Sequence, residues 1–299
     1  MPRPGVTLAL GGGGARGAAH LGVIEAIERA QFPIERIVGT SIGSIMGAAY
    51  AAQPEIEVVE RRMLDYVLSS EFQKHQAVLF GTHSSDAAEP GGMFSWYDRV
   101  KQYLRANRIF HRVITQPSML PGVVLQDVVN HLIPEMDLAD TRVPLSIVSV
   151  DLCSGHRVVL EKGPLRRAVQ ASSALPGIFP PVEWDGMLLC DIGVLNSLPS
   201  IVAKSYTNHI VVAVDVSSDV EPQEKFENAL DVIMRVDEVG EALYRRHVKP
   251  VADIVVTPRV QGIEWFNFSR SEELIQAGRA AGQDAVRQLE ALTQKSNGR

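Results

Sequence analysis

The chain predicts an α/β protein, and three observations carry that expectation. Val6 to Leu10 is a short apolar run that leads through a glycine loop into a helix whose Leu21, Ile24 and Ile27 keep helical spacing. A second run near Arg36 to Val38 turns sharply into another helix, made of small residues. Further apolar runs at Leu145–Val150 and Ile210–Val214 each end in an aspartate, Asp151 and Asp215, as buried strands of a sheet would. Successive strands joined by helices usually lie side by side, with their carboxyl ends opening on one edge.

The second turn is the most informative. Gly39-Thr40-Ser41-Ile42-Gly43 reads G-x-S-x-G, which places a serine at the apex between strand and helix. Flanking glycines let the backbone bend and let the two elements pass closely. Ser41 then stands at the amino end of a helix, where unpaired N–H groups and about half a positive charge favour a developing anion. A plain N-cap serine would fit the same position. The uncharged stretch from Ile37 to Pro54 is long enough for a membrane span, but its glycines, serines, threonine, glutamine and proline make it too polar, and its first half reads as strand and turn.

The glycine loop, Gly11 to Gly17, offers bare backbone N–H groups to an anion. Gly12, Gly14 and Gly17 also satisfy G-x-G-x-x-G, the fingerprint of a dinucleotide site. That reading requires an acidic residue at the end of the second strand, to hold a ribose hydroxyl. Here the strand runs directly into the serine turn, and Glu35 lies before it, at the wrong end. An oxyanion fits better: two loop donors and the N–H that follows Ser41 would face a tetrahedral acyl intermediate across the crevice. Arg16 fits either a solvated loop charge or an anchor and positive supplement, and His20 fits a packed structural histidine.

With 299 residues and 45% hydrophobic content, the chain can bury a substantial core. A net charge of -6 and the absence of any basic stripe exclude a nucleic-acid partner. The start of the chain lacks the pattern of a secretory signal. Cys153 and Cys190, without Cys-x-x-Cys spacing, read as buried free thiols of a reducing compartment, so a cytoplasmic protein is expected. No linker divides the chain, and residues 1–299 are read as one domain: a core of about 5–205, with a C-terminal strand and helices of about 206–295 packed on it.

Residues 55 to about 140 have mainly helical pattern, with apolar faces at Val58, Met63 and Leu64 and again at Val100, Tyr103 and Leu104. The stretch from Gln76 to Gly92 has no sustained period, and Met93 to Tyr97 after it are largely apolar. It reads as a surface loop or as a lid for greasy substrates touching a membrane surface transiently. Arg157–Leu160 reads as a strand, with a short helix from Pro164 after it. Ala171 to Pro181, crowded with prolines and glycines, reads as a rigid irregular segment. Met187–Cys190 is strand-like and ends in Asp191-Ile192-Gly193. Phe226–Arg246 is helix-like, and Leu274, Gly278, Ala281, Ala285, Leu289 and Leu292 trace the apolar stripe of a last helix.

A serine nucleophile needs a neighbouring base. His209 precedes a buried strand at the end away from the crevice, and His247 sits within an arginine-rich helix. The alternatives are the three strand-end carboxylates, Asp151, Asp191 and Asp215. A carboxylate would need burial to raise its pKa toward working pH.

Gly12–Gly17, Gly39–Gly43, Ala171–Val182 and Asp191-Ile192-Gly193, in that order, resemble the patatin-like phospholipases, specifically the small bacterial cytoplasmic branch. Glu264 to Phe268 and the helix after it are similar to that branch's carboxyl end. The resemblance implies a three-layer α/β/α fold with a central, mostly parallel sheet, and a Ser–Asp dyad without histidine, metal or cofactor. It assigns Ser41 as nucleophile and Asp191 as general base. Gly12, Gly13, Gly14 and Ile42 would form the oxyanion hole, supported by Arg16, Gly17, Gly39, Gly43 and Gly193. The substrate it implies is a lipid carboxylic ester: a phospholipid, lysophospholipid or acylglycerol. Ile192 departs from the family's usual glycine, and a β-branched residue resists positive φ, so a differently shaped turn is expected there. A lipid transacylase, a non-catalytic lipid-binding protein and a nucleotide-binding protein are the alternatives.

Overall fold

The computed structural model describes residues 3–74, 118, 120–193, 197–206, 209–217, 220, 222, 226, 229–264 and 267–297. The expectations for Gln76–Gly92, Met93–Tyr97, Val100, Tyr103 and Leu104, and for Trp265 and Phe266, fall outside those residues.

The strands among the described residues form one mixed sheet. They are β1 (Val6–Leu10), β2 (Ile34–Thr40), β3 (Leu145–Asp151), β4 (Arg157–Leu160), β5 (Val182–Trp184), β6 (Met187–Cys190), β7 (Ile210–Val214) and β8 (Ile254–Val256). Their order is β5-β6-β3-β2-β1-β7-β8, with β4 paired to β3 off that path. The five strands β3-β2-β1-β7-β8 are parallel, as expected, while β4, β5 and β6 join antiparallel. Leu10 pairs with both Gly39 and Val214, so β1, β2 and β7 end level. Short β5 and β8 are not among the elements anticipated above, because three residues are too few to show a period.

Side-chain alternation sends Leu8, Leu10, Ile37, Ile147 and Val212 into one core cluster and Ala9, Val38, Val148, Val150, Val211 and Ala213 into another. The first face is covered by α1 (Ala19–Arg29), α2 (Ile42–Ala52), α3 (Ile56–Val67), α4 (Val123–Leu132), α5 (Leu165–Ser173) and part of α8 (Ser271–Asn297). The second is covered by α6 (Ser200–Ser205) and the end of α7 (Ala229–Val248). The result is three layers, helix on sheet on helix.

Helices α1 and α8 touch backbone to backbone. A Cβ at Gly278 would stand 2.0 Å from the Ala19 carbonyl oxygen, and one at Gly22 would stand 2.1 Å from that of Ile275. At one end of this seam Arg279 of α8 pairs with buried Glu25 and with Glu60 of α3, the latter at 2.6 Å.

Three local expectations change. Ala171–Ser173 are the last turn of α5, so the irregular segment begins at Ala174. The helix expected over Phe226–Arg246 is described over Ala229–Val248, and Phe226 is outside it. Cys190 is buried, but Cys153 lies exposed in the turn after β3. Among the described residues no helix is long and apolar enough to cross a membrane.

Candidate active site

Ser41 has φ 53° and ψ −127°, a conformation that L-residues adopt at a cost of about 1–3 kcal/mol when the surroundings enforce it. The bend is therefore on the serine itself. Gly39 and Gly43 have no positive φ; they are glycines because space is lacking. A Cβ at Gly43 would lie 2.2 Å from the Leu10 carbonyl oxygen, and one at Gly39 would lie 2.7 Å from that of Gly43. What enforces the bend is a set of hydrogen bonds. The Ser41 N–H donates to Ser172 Oγ at 2.9 Å, and Ser172 Oγ donates in turn to the Val148 carbonyl at 2.7 Å. The Ser41 carbonyl accepts from Ser44 N at 2.8 Å and from Ser44 Oγ at 2.6 Å.

The sheet brings Asp191 to the same place by a route the sequence does not show. On β3, Ile147 and Val148 are flanked by β4 on one edge, and Val148 by Thr40 of β2 on the other. Val150 is flanked by Arg157 of β4 and Cys190 of β6. Strand β6 therefore occupies the edge that β2 leaves at Thr40, and it runs down toward it. Ser41 follows the last residue of β2, and Asp191 follows the last residue of β6. Both residues leave their strands at one gap beside β3.

Asp191 N donates to the Ala174 carbonyl at 2.9 Å, and Asp191 Oδ1 accepts from Gly193 N at 2.6 Å. Residues 172 to 174 thus hold both partners, Ser41 through a hydroxyl and Asp191 through a carbonyl. Asp191 is fully buried, and burial pushes its pKa up to about 6, against the opposing pull of the Ser41 hydroxyl and the Gly193 amide. The Ser41 hydroxyl is close enough to act on that carboxyl, yet buried Oδ2 has no aligned hydrogen bond of its own. A Cβ at Gly12 would lie 3.4 Å from Ser41 Cβ and 3.9 Å from Gly193 Cα, so these chain segments meet around the serine.

The other two strand-end aspartates are occupied. Asp151 accepts from Cys153 N, Ser154 N, Ser154 Oγ and Leu188 N, and its carboxyl is held down at about 2, first by the Ser154 hydroxyl. Asp215 is paired with Lys249 at 2.6 Å and with buried Arg245 at 3.4 Å. His20 is buried with Nε2 on the Gly11 carbonyl oxygen at 2.8 Å, and burial lowers its pKa to about 4, which makes it a neutral packing group. His209 and His247 are exposed.

The glycine loop is anchored at its start and open further on. Gly11 N donates to the Val214 carbonyl at 3.1 Å, and Gly12 N donates to that of Ser197 at 2.8 Å. The Gly12 N–H is thus already committed, and Gly12 serves as a point of close approach to Ser41. The N–H groups of Gly13 and Gly14, entering a 3-10 turn (Gly14–Ala18), have no hydrogen-bond partner among the described residues. Ile42, at the first turn of α2, packs its side chain where a Cβ on Gly17 would be 2.3 Å away. Arg16, buried, donates from Nε to the Ile263 carbonyl at 2.7 Å, which makes it a loop anchor.

Two earlier expectations are resolved by these positions. Glu35 lies near the start of β2, at the end remote from the loop, so the acidic residue that a dinucleotide site needs is not at the strand's carboxyl end. Ile192 does not take a positive φ; it is buried in the second core cluster beside Leu198 and Val202, so the turn after Asp191 uses it as a packing residue. Ser172, Ala174, Ser197 and Ser217 were not singled out by the sequence, because each acts through tertiary hydrogen bonds with no local pattern.

The sequence profile of the patatin-like phospholipase family matches residues 8–204. The chain is 30% identical over 294 residues to patatin-like phospholipase domain-containing protein 6 of Mus musculus, covering 97% of this chain and 18% of that protein. It is 28% identical over 214 residues to an uncharacterized NTE family protein of Mycobacterium tuberculosis, covering 72% of this chain and 49% of that one. VipD from Legionella pneumophila aligns over 98% of this chain and 67% of its own, with a TM-score of 0.47 and 15% identity. The chain thus spans less than a fifth of its mouse relative and about half of its mycobacterial one. With its glycine loop, serine turn and Asp191 segment all inside the matched stretch, this chain belongs to the patatin-like phospholipase family.

Proposed function

We propose that this protein is a serine acyl hydrolase acting on carboxylic esters of lipids through a Ser41–Asp191 dyad. The observation that carries the reading is the contrast among the three strand-end aspartates. Asp151 accepts hydrogen bonds on both oxygens and Asp215 is ion-paired with Arg245 and Lys249, whereas Asp191 is buried beside Ser41 with no ion pair among the described residues. A pKa of about 6 leaves it ionised at neutral pH, yet basic enough to take a hydroxyl proton in a water-poor site.

In this reading Asp191 accepts the Ser41 proton as Ser41 Oγ bonds to the acyl carbon. The oxygen that becomes negative is held by the N–H groups of Gly13, Gly14 and Ile42, helped by the amino end of α2. Collapse breaks the ester C–O bond, and the leaving alkoxide takes the proton from Asp191. Water then gives a proton to Asp191 and attacks the acyl-Ser41 ester, and Ser41 is restored as the free acid departs. The lipid character of the substrate is carried over from the family.

The test is intact-protein mass spectrometry after a fluorophosphonate probe, with hydrolysis of short p-nitrophenyl esters alongside. Wild type should gain one probe mass on Ser41, and both Ser41→Ala and Asp191→Asn should lose turnover by at least about a thousandfold. Unchanged turnover in either variant would overturn the dyad.

A further inference from the structure

A peptide group fixes two directions at once. In a trans peptide the C=O of one residue and the N–H of the next point opposite ways, and the described chain has no cis peptide bond. Turning the Gly12 carbonyl away from Ser41 therefore turns the Gly13 N–H toward it. Between two glycines such a plane flips readily, since both residues tolerate either sign of φ. The flipped state would aim a carbonyl oxygen at the position of the developing oxyanion, where it repels.

The structure contains a clamp against that flip. Ser217 Oγ donates to the Gly12 carbonyl at 3.4 Å and lies 3.3 Å from Ser197 Oγ. The other side of Gly12 is held by its own N–H on the Ser197 carbonyl, at 2.8 Å. Ser197 is fixed in turn, because its hydroxyl donates to Glu241 Oε1. Glu241 lies on α7, its side chain only 14% exposed, with Arg245 Nε 3.5 Å away; Arg245 also reaches Asp215. A chain of polar contacts thus runs from α7, behind the sheet edge, to the peptide between Gly12 and Gly13. Such a run of partly buried polar groups is of little use to the core itself, where apolar packing would serve as well.

We propose that Glu241, Ser197 and Ser217 are positioning residues which hold the Gly12–Gly13 peptide with its N–H facing the Ser41 crevice, so that the oxyanion site is formed before substrate arrives. This rests on the acyl-hydrolase reading above. None of the three touches substrate. Their effect falls on the transition state, because the negative oxygen appears only there, and so on kcat more than on KM.

The experiment compares Ser217→Ala, Glu241→Ala and Glu241→Gln with wild type and Ser41→Ala on one p-nitrophenyl ester, with melting temperatures measured in parallel. Removing a whole oxyanion donor lowers kcat by roughly a hundredfold or more, so loosening one should lower it roughly tenfold. Ser217→Ala and Glu241→Ala are expected to show that fall with KM within about twofold of wild type. Glu241→Gln keeps an acceptor for Ser197 and should recover most of the rate. Ser217→Ala removes a single hydroxyl and should melt close to wild type, which separates a lost clamp from lost folding. Wild-type kcat in both Ser217→Ala and Glu241→Ala, with Ser41→Ala inactive, overturns the clamp alone. An active Ser41→Ala overturns the hydrolase reading, and the clamp with it.

Discussion

The Ser172 hydroxyl accepts a hydrogen bond from the backbone N–H of Ser41 and donates one to the Val148 carbonyl, so one buried side chain ties the bent serine to the neighbouring strand. Replacing Ser172 by alanine leaves the Ser41 N–H and the Val148 carbonyl without this partner. Ser172→Ala should lower stability by about 1–3 kcal/mol in urea unfolding and reduce kcat as the turn relaxes. Wild-type stability and kcat together would show that the bend is held elsewhere.

Asp191 predicts a pH profile. In the proposed dyad its carboxyl must be ionised to act as the base, so kcat/KM should rise with pH, reach half its plateau near pH 6 and stay level above. Stability should move the opposite way. Burial raises the folded-state pKa from 3.8 to about 6, so the folded protein prefers the neutral acid; the favourable contribution is full below pH 3.8 and is lost as pH rises through 6. The shift corresponds to on the order of 3 kcal/mol. Asp191→Asn should therefore be more stable than wild type at pH 8, with the gap closing toward pH 4. Thermal melts of the two proteins across that range test it.

Asp151 provides the contrasting case. Its carboxylate accepts three backbone N–H groups and a hydroxyl, so Asp151→Ala should lower the melting temperature. The proposed Ser41–Asp191 pair is left in place, and the folded variant should retain wild-type kcat within a few-fold. Loss of turnover in protein that is fully folded by circular dichroism would assign Asp151 a part in the chemistry.

The seam between α1 and α8 has no room for a methyl group at Gly278, where a Cβ would meet the Ala19 carbonyl at 2.0 Å. Gly278→Ala should destabilise by about 1–3 kcal/mol or more, since two backbones must move apart. Urea unfolding measures this directly, and a neutral result would mean that the helices separate freely.

Much of the site was legible because its parts carry local chemistry. Strand, glycine loop and helix follow from apolar runs punctuated by residues without side chains, and the serine turn follows from its spacing. The choice of Asp191 over Asp151 and Asp215 was not legible from the residues alone. All three end an apolar strand, and what separates them is which long-range partners arrive: Leu188 at one, Lys249 and Arg245 at another. The resemblance to the family singled out Asp191 where periodicity did not. The direction of β6 was hidden for a related reason, since a four-residue strand reads the same whether it runs parallel or antiparallel. The commitment of the Gly12 N–H to Ser197 was equally invisible, as it joins residues 185 positions apart.

Strand β6 is joined to β3 by only two paired positions, Val150 with Cys190 and Asp151 with Leu189. A ladder this short opens on its own more readily than the parallel strands at the centre of the sheet. Peeling the β5–β6 ribbon away would carry Asp191, the proposed base, off while the serine, its helix and the central strands remain intact. Warming should therefore silence the protein reversibly before it melts, with amide exchange at Leu188 and Leu189 quickening at the temperature where turnover first falters.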